Sequence, residues 1–235
     1  MLPYFLLLLL ALLGGLAYWL LISTEGVFLG RRVVVWLYDR TAHRYDAIKE
    51  YDPADEQFLV TRPVLAALAG RANPLLLDVA TGTGRVPFDL LQNPAFPGRV
   101  IGLDASRPML TVAAAKLAPY GQRVSLVQHP AAPLPFPTAR FDLVTCLEAL
   151  EFFPSDEAAL REMVRVLRPG GRLITTRRTG REGQLFLHRY RSPDQFTALL
   201  HRLGLAEVEM QLWEVGYDLV TARKPAAPAG GAHAA

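Results

Sequence analysis

The hydrophobic pattern along the chain opens with a long apolar run, which spans residues 2–22 and contains no charged side chain. A helix of roughly 20 apolar residues is long enough to cross a bilayer core. Tyr18 and Trp19 lie near the end of the run, and such amphipathic rings concentrate at the membrane interface. The basic leading segment and the small-residue cleavage site of a signal peptide are not found. The run therefore predicts a membrane-spanning helix.

Beyond residue 51, short apolar runs alternate with segments whose apolar residues recur at helical spacing. The predicted strands are 75–79, 100–103, 124–127, 141–146 and 172–176. The predicted helices are 52–70, 85–91, 107–117, 155–167 and 193–203. Two further runs, 206–212 and 216–222, are close enough in sequence to pair as an antiparallel hairpin. This order predicts an α/β fold, a Rossmann-like, doubly wound, mostly parallel seven-stranded sheet with a C-terminal hairpin.

The same pattern divides the chain into four parts. Residues 1–23 form the predicted transmembrane anchor, 24–51 a juxtamembrane segment, and 52–223 one α/β domain. Residues 33–37 are apolar, which is compatible with an extended membrane helix, an interfacial position or packing on the domain. Residues 224–235 are rich in alanine, proline and glycine, a composition that predicts a disordered tail.

Composition and charge narrow the class of protein. The formal net charge of +3 is small and the arginines are scattered, so the sequence does not favour a nucleic-acid partner. Cys146 is the only cysteine, which excludes an intrachain disulfide and a cysteine-based metal site, and no metal is predicted. The arginines nearest the apolar run all follow it: Arg31, Arg32, Arg40 and Arg44. Because positive flanks stay in the cytoplasm, they predict a single-pass membrane protein with a cytoplasmic domain.

The turn after the first predicted strand carries residues suited to hold a cofactor. Asp78 lies at the end of the strand, and Gly82 and Gly84 follow before a helix. Ligands of doubly wound sheets lie beyond the carboxyl ends of the strands, and glycine lets them approach the backbone. Asp104 follows the next strand, 20 residues after Gly84, where a carboxylate binds ribose hydroxyls. The arrangement predicts an adenosine-containing cofactor.

Four segments carry a more specific resemblance. Residues 78–84, 102–110, 134–144 and 167–171 resemble the motifs of the class I S-adenosylmethionine-dependent methyltransferases, in that family's order and spacing. The resemblance covers about residues 52–222 and implies an enzyme that uses S-adenosyl-L-methionine as its cofactor. The amino-methylating motif of protein and nucleic-acid methyltransferases does not follow the fourth strand, which favours a small-molecule acceptor.

The resemblance also implies a cofactor site. Its residues are Asp78, Ala80, Gly82, Gly84, Asp104, Ala105, Met109, Ala131 and Cys146. Family members pass the glycine loop along the methionine part of the cofactor, and Asp104 takes the ribose. Ala105 and Met109 lie against the adenine, although Met109 is equally compatible with plain core packing.

One position departs from the family's pattern. Where relatives commonly carry an acidic residue for the adenine amino group, this chain has Pro130. The adenine is then left to the backbone of Ala131, to Gln128 or to His129.

The segment 38–46 resembles the opening of methyltransferases that act on quinone precursors and other small molecules. In those proteins it leads a mobile lid helix. Tyr38 and Tyr45 are seven residues apart, on one face of a helix, so both are predicted to close over the cofactor or to pack the helix on the sheet. The lid is therefore placed within residues 24–51.

A catalytic base is not assigned, and the candidates are Glu148, His129 and His188. The resemblance implies that Cys146, Leu147 and Glu148, at and just after the end of the fourth strand, border the sulfonium and the acceptor entrance. Because the anchor raises the local concentration of lipophilic molecules, the predicted acceptor is a quinone-like molecule or a lipid. A basic segment, residues 176–181 with Arg189 and Arg191, is predicted to be a solvated loop or a contact for anionic groups.

Two alternatives remain open at this point. An NAD-dependent oxidoreductase would use the same turn, but Pro87 replaces the third glycine of the dinucleotide fingerprint. A catalytically degenerate, membrane-tethered binding scaffold would keep the fold and lose the activity, and the missing acidic adenine contact is compatible with it.

Overall fold

Seven strands form one mixed sheet in a computed structural model that describes residues 2–49 and 52–226. They are β1 (Leu75–Val79), β2 (Arg99–Asp104), β3 (Val124–Gln128), β4 (Phe141–Cys146), β5 (Leu167–Arg178), β6 (Ala206–Glu214) and β7 (Tyr217–Arg223). Their order in the sheet is β3-β2-β1-β4-β5-β7-β6. The first five strands run parallel, and β7 is antiparallel to both β5 and β6. The predicted doubly wound sheet with an antiparallel hairpin is confirmed.

The helices occupy the segments between the strands and before them. They are α1 (Leu2–Tyr18), α2 (Arg31–Thr41), α3 (Tyr45–Lys49), α4 (Pro53–Glu56), α5 (Arg62–Ala67), α6 (Arg85–Gln92), α7 (Arg107–Leu117), α8 (Asp156–Val166), α9 (Gly180–Leu185) and α10 (Pro193–Arg202). Ser106 caps α7, because its hydroxyl oxygen accepts a hydrogen bond from the Met109 N–H at 3.2 Å. The predicted tail begins at residue 224, but from residue 227 onward it lies outside the described residues.

Strand β5 begins earlier than predicted. Leu167 already pairs with Phe141, and the register then shifts so that Arg172 pairs with Leu143. The residues between them, 168–171, bulge out of the ladder, with Gly170 at a φ of +74°. The apolar pattern marked only the regular part of this strand.

The core has two layers because side chains alternate across each strand. Leu77 of β1 packs with Leu160 of α8 and Leu199 of α10 on one face of the sheet. Leu76 packs with helices α5, α6 and α7 on the other face. All five side chains of β1 are buried. This packing fixes the carboxyl ends of the parallel strands, which all lie at the same end of the sheet.

The N-terminal apolar run is helical and stands outside this core. Pro3–Ser23 has a mean hydropathy of 2.5, and its most apolar window has no buried residue. Its length and composition suffice to cross a membrane, a test that signal sequences also pass. A π-helical turn, Trp19–Ser23, and a 3-10 turn, Val27–Leu29, then lead into α2.

Candidate active site

A cavity of about 300 Å³ opens at the carboxyl ends of β1 to β4. The predicted site residues that line it are Tyr38, Tyr45, Ala80, Gly82, Asp104, Ala105, Met109, His129, Ala131 and Glu148. The order of the sheet reverses between β1 and β4, and ligands of doubly wound sheets bind at such a switch point.

The turn after β1 forms the floor of the cavity. Ala80 and Gly82 have φ values of +60° and +54°, so the backbone curls in the left-handed region before α6 begins. The turn is anchored to the next strand, because the Thr81 N–H donates to the Leu103 carbonyl at 3.0 Å. A side chain added at Gly82 would meet no protein atom within 4 Å, so this stretch of backbone faces open space.

The Asp104 carboxylate in the cavity is held by two backbone hydrogen bonds. Its Oδ2 accepts from the Gly82 N–H and its Oδ1 from the Ser106 N–H, both at 2.8 Å. Burial raises the pKa of the Asp104 carboxyl, against these two backbone hydrogen bonds. Each carboxylate oxygen keeps a further lone pair for a ligand. The group is thus pre-oriented to accept two hydroxyl donors.

The side of the cavity next to β3 is apolar apart from His129. Met109, which is 1% exposed, and Ala105 line this part. His129 Nδ1 lies 3.0 Å from the Pro130 carbonyl oxygen, which can only accept a hydrogen bond. Gln128 does not line the cavity and lies with its side-chain amide 3.4 Å from the Ala105 carbonyl.

Glu148 lies at the other end of the cavity in a strained backbone conformation, with a φ of +50°. Its N–H donates to the Thr176 hydroxyl at 2.7 Å. The carboxylate lies 2.6 Å from Lys49 Nζ and 2.6 Å from Arg85 Nη1. Burial by itself raises the pKa of the Glu148 carboxyl, but the two cations outweigh it and hold the pKa below its usual value. Glu148 is therefore a poor general base, and its role is to form ion pairs with Lys49 and Arg85.

Arg85 also forms ion pairs with two more carboxylates. It binds Glu56 through two hydrogen bonds of 2.6 and 2.7 Å and reaches Glu214 at 2.8 Å. Both Arg85 and Glu148 are almost fully enclosed, with 10% and 12% of their side chains exposed. The sequence pattern identified Arg85 only as the start of a helix.

Aromatic rings roof the cavity. Tyr38 lies 6.0 Å from Tyr45 and 5.9 Å from Phe152, measured between ring centroids. The two tyrosines do not share one continuous helix as predicted, because a 3-10 turn, Ala42–Arg44, separates α2 from α3. The Tyr38 hydroxyl donates to Glu25 Oε2 at 2.7 Å, and burial raises the pKa of the Glu25 carboxyl.

Two aspartates hold α2 and α3, which carry these tyrosines, over the carboxyl ends of β1 and β2. Asp39 Oδ1 accepts from the Ser106 hydroxyl at 2.5 Å. Asp46 accepts from the Thr83 hydroxyl at 2.5 Å and lies 2.5 Å from Lys116 Nζ. These roles were not predicted from the sequence, although each aspartate directly follows one of the two tyrosines, and this repetition is a signal that could have indicated them.

Besides Gln128, four predicted residues lie away from the cavity wall. Asp78 is buried beneath the turn, where it accepts from the Thr145 hydroxyl at 2.6 Å, and burial raises its pKa to about 6. Gly84 serves packing instead, because an added Cβ would lie 2.9 Å from Leu117 Cδ1. Cys146 is fully buried in β4, since both faces of that strand are covered. His188 is exposed in the turn after α9 and does not line the cavity, so it is not placed to act as a base there.

Four of the five arginines of the basic segment 176–191 are paired within the protein, and Arg181 is exposed. Arg177 pairs with Asp218, Arg178 with Glu151, and Arg191 with Asp156. Arg189 donates to the carbonyls of Glu151 and Phe153. For these four arginines the prediction of a solvated loop or a contact for anionic groups was wrong, because their partners are distant in sequence. Within residues 2–49 and 52–226, no cluster of three or more His, Cys, Asp or Glu is placed to bind a metal ion.

Comparisons with known proteins agree with this geometry. Residues 77–175 match the family model of a methyltransferase domain. The demethylmenaquinone methyltransferase of Thermus thermophilus is 34% identical over 138 residues, which cover 59% of this chain and 62% of that protein. The ubiquinone/menaquinone biosynthesis C-methyltransferase UbiE of Marinomonas sp. is 32% identical over 176 residues, or 74% of this chain and 69% of the relative.

The fold, the cavity and these matches define a class I S-adenosylmethionine-dependent methyltransferase domain, and the chain belongs to that family. Within it, the chain resembles the ubiquinone/menaquinone biosynthesis C-methyltransferases. It spans less than two thirds of the length of the Thermus protein. The cyclase SpnF has the same fold, with a TM-score of 0.68 and 20% identity over 84% of this chain and 97% of that chain. At this identity the likeness concerns the fold alone.

Proposed function

We propose that this protein transfers a methyl group from S-adenosylmethionine to a small lipophilic acceptor, quinone-like or lipid, at a membrane. The observation that carries the proposal is the Asp104 carboxylate, which lies at the open end of β2 with both oxygens oriented by backbone N–H groups. A carboxylate at this position of a doubly wound sheet accepts hydrogen bonds from ribose hydroxyls.

The residues of the cavity fit the donor chemically. Asp104 would hold the ribose, the apolar wall of Ala105 and Met109 would receive the adenine, and Ala80 and Gly82 would line the amino-acid part. His129 and the Ala131 backbone would take the place of the acidic adenine contact. When bound, S-adenosylmethionine supplies an electrophilic methyl group on a sulfonium.

The protein's own contribution is alignment and exclusion of water. In-line transfer from a sulfonium needs the acceptor atom held near the methyl group rather than covalent chemistry by the enzyme. Val34, Val35 and Phe152 form an apolar wall beside Tyr38, which favours an apolar or aromatic acceptor. The relatives named above act in quinone biosynthesis by their names, which supports the same acceptor class.

The proposed arrangement places the domain on the cytoplasmic side. Residues 1–23 would form a single-pass anchor, 24–51 the juxtamembrane and lid segment, 52–223 the catalytic domain and 224–235 a tail. The apolar helix Pro3–Ser23 and the arginines that follow it support this layout. Protease added to intact spheroplasts should leave the domain whole, and its removal would place the domain outside.

Calorimetry on the full chain in phosphatidylcholine nanodiscs tests the function. S-adenosylmethionine should bind, NAD should not compete, and Asp104→Ala should lose affinity while the exposed-site control Asp55→Ala keeps it. Charge-assisted hydrogen bonds contribute about 1.5–3 kcal/mol, so the expected loss is roughly tenfold to a hundredfold. Radiolabelled methyl transfer into a membrane lipid extract should follow. Donor binding without transfer to any extract would indicate a degenerate scaffold, and NAD binding would indicate an oxidoreductase.

A further inference from the structure

Helix α2 presents a cationic and aromatic stripe on its outer side. Arg32, Trp36 and Arg40 recur every four residues and are exposed, and Trp36 has 51% of its surface exposed. The Arg40 guanidinium lies 4.8 Å from the centre of the Trp36 ring. On the inner side, Val34 is buried against Val27 and Phe186.

Two exposed apolar side chains lie next to this helix. Leu29, just before α2, is 45% exposed, and Leu187 is 51% exposed. Leu187 is adjacent to Phe186, which packs against Val27 and Val34 and so fixes this turn beside α2. We call Leu29, Arg32, Trp36, Arg40 and Leu187 the juxtamembrane face.

The charge of this face is not balanced by nearby acids. Glu25, Asp39 and Asp46 are the described acidic residues of the 24–51 segment, and they contact Tyr38, Ser106 and Thr83 instead. Within the described residues, neither Arg32 nor Arg40 has an ion pair. The face therefore complements a negatively charged surface.

The face also begins where the apolar helix ends. The Gly26 N–H donates to the Leu20 carbonyl at 2.8 Å, and the Leu29 N–H donates to the Gly26 carbonyl at 2.9 Å. Trp19 stacks on Phe28 with ring centroids 5.0 Å apart. These contacts make the connection from Pro3–Ser23 to α2 a folded turn rather than a free linker.

We propose that the juxtamembrane face lies on an anionic lipid surface, with Leu29, Trp36 and Leu187 in the interfacial region. Arginines at such a position meet lipid headgroups, and tryptophan is the preferred ring of the interface. The inner side of α2 contributes Val34 and Val35 to the cavity wall, and Arg31 stands at the cavity as well. The acceptor then enters from the bilayer surface along α2 without crossing water. This inference rests on the membrane anchoring proposed above.

Spin labels on the full chain in nanodiscs test the proposal. Cys146 is fully buried, so single added cysteines are labelled selectively. Labels at Leu29→Cys and Leu187→Cys should be accessible to oxygen and shielded from a nickel chelate in discs that contain phosphatidylglycerol. A label at Gln122→Cys, exposed before β3 at the other end of the sheet, should be open to nickel. A label at Leu12→Cys reports the anchor separately.

Removal of two charges should release the face. Arg32→Gln with Arg40→Gln should lower the ratio of docked to undocked protein about thirtyfold in anionic discs, since each arginine contributes about fivefold. The matched pair Arg140→Gln with Arg202→Gln, exposed elsewhere, should change nothing. Nickel access at residues 29 and 187 equal to that at residue 122, with residue 12 still in the bilayer core, would refute docking while leaving the anchor intact. Dipolar coupling between Leu29→Cys labels on two chains would assign the face to a second copy and overturn the proposal.

Discussion

Arg85 Nη1 lies 2.6 Å from Glu148 Oε1, which ties the first residue of α6 to the loop after β4 at the floor of the cavity. Lys49, in the segment before the sheet, forms a second ion pair with Glu148. Glu148, which lines the cavity, is thus held by ion pairs from two other parts of the chain.

Arg85→Met should strongly destabilise the domain. It leaves the carboxylates of Glu56 and Glu214 without this cation in an enclosed site, and breaking a buried ion pair costs about 3–5 kcal/mol. Lys49→Met, at a side chain with 32% exposure, should cost no more than about 1 kcal/mol. Urea unfolding of both variants measures the difference, and equal losses would contradict the central place of Arg85.

Loss of the two roof aspartates should weaken donor binding. Asp39→Ala together with Asp46→Ala removes the contacts to Ser106, Thr83 and Lys116. Since each hydrogen bond contributes about 0.5–1.5 kcal/mol, the dissociation constant of S-adenosylmethionine should rise about tenfold. Calorimetry with Asp55→Ala as the exposed control checks this, and an unchanged constant would show that the roof does not retain the donor.

Asp78 should make stability fall as pH rises through weakly acidic values. Burial raises the pKa of its carboxyl from 3.8 to about 6, so the folded state binds more protons than the unfolded state between these values. The cost of ionisation is absent below the unfolded pKa and fully present above the folded one, where it amounts to about 2–3 kcal/mol.

The isosteric variant Asp78→Asn isolates this effect. Its stability relative to the wild type should improve from about pH 4 to about pH 7, with unfolding midpoints in urea as the measurement. Asp55→Asn, which changes an exposed carboxylate, is the control. If the stability difference between Asp78→Asn and the wild type is the same at both pH values, Asp78 is not the group that makes stability depend on pH.

Tyr38 should act through its ring more than through its hydroxyl at the cavity. Tyr38→Phe keeps the contacts with Tyr45 and Phe152 but leaves Glu25 without its donor, so the free energy of unfolding should fall by about 1–2 kcal/mol. Donor affinity should stay unchanged. Tyr38→Leu removes the ring pairs as well, each worth about 0.5–1.5 kcal/mol, and should also weaken donor binding. Equal donor affinity in both variants would show that the Tyr38 ring does not contribute to donor binding.

Much of the fold followed from local patterns. Strand β1, the glycine turn and Asp104 were predictable because apolar periodicity and turn chemistry involve residues that are neighbours in the chain. The start of β5 was not, because a bulge interrupts its apolar pattern. The roof helix was predicted as one element, but a short 3-10 turn divides it, and the tyrosines meet through packing instead.

Local sequence patterns were enough to predict the strands of the sheet, the cofactor-binding turn and the family resemblance. They also predicted the apolar span and showed that arginines follow it in the chain. The partners of Arg85, Glu148 and Asp39 came from the folded molecule alone. Arg85 and Glu214 are 129 positions apart, and a charge pattern read along the chain carries no information on which distant carboxylate will meet which cation. Burial, which sets the pKa of Asp78 and excludes Cys146 from the cavity, likewise exists only once the layers have packed.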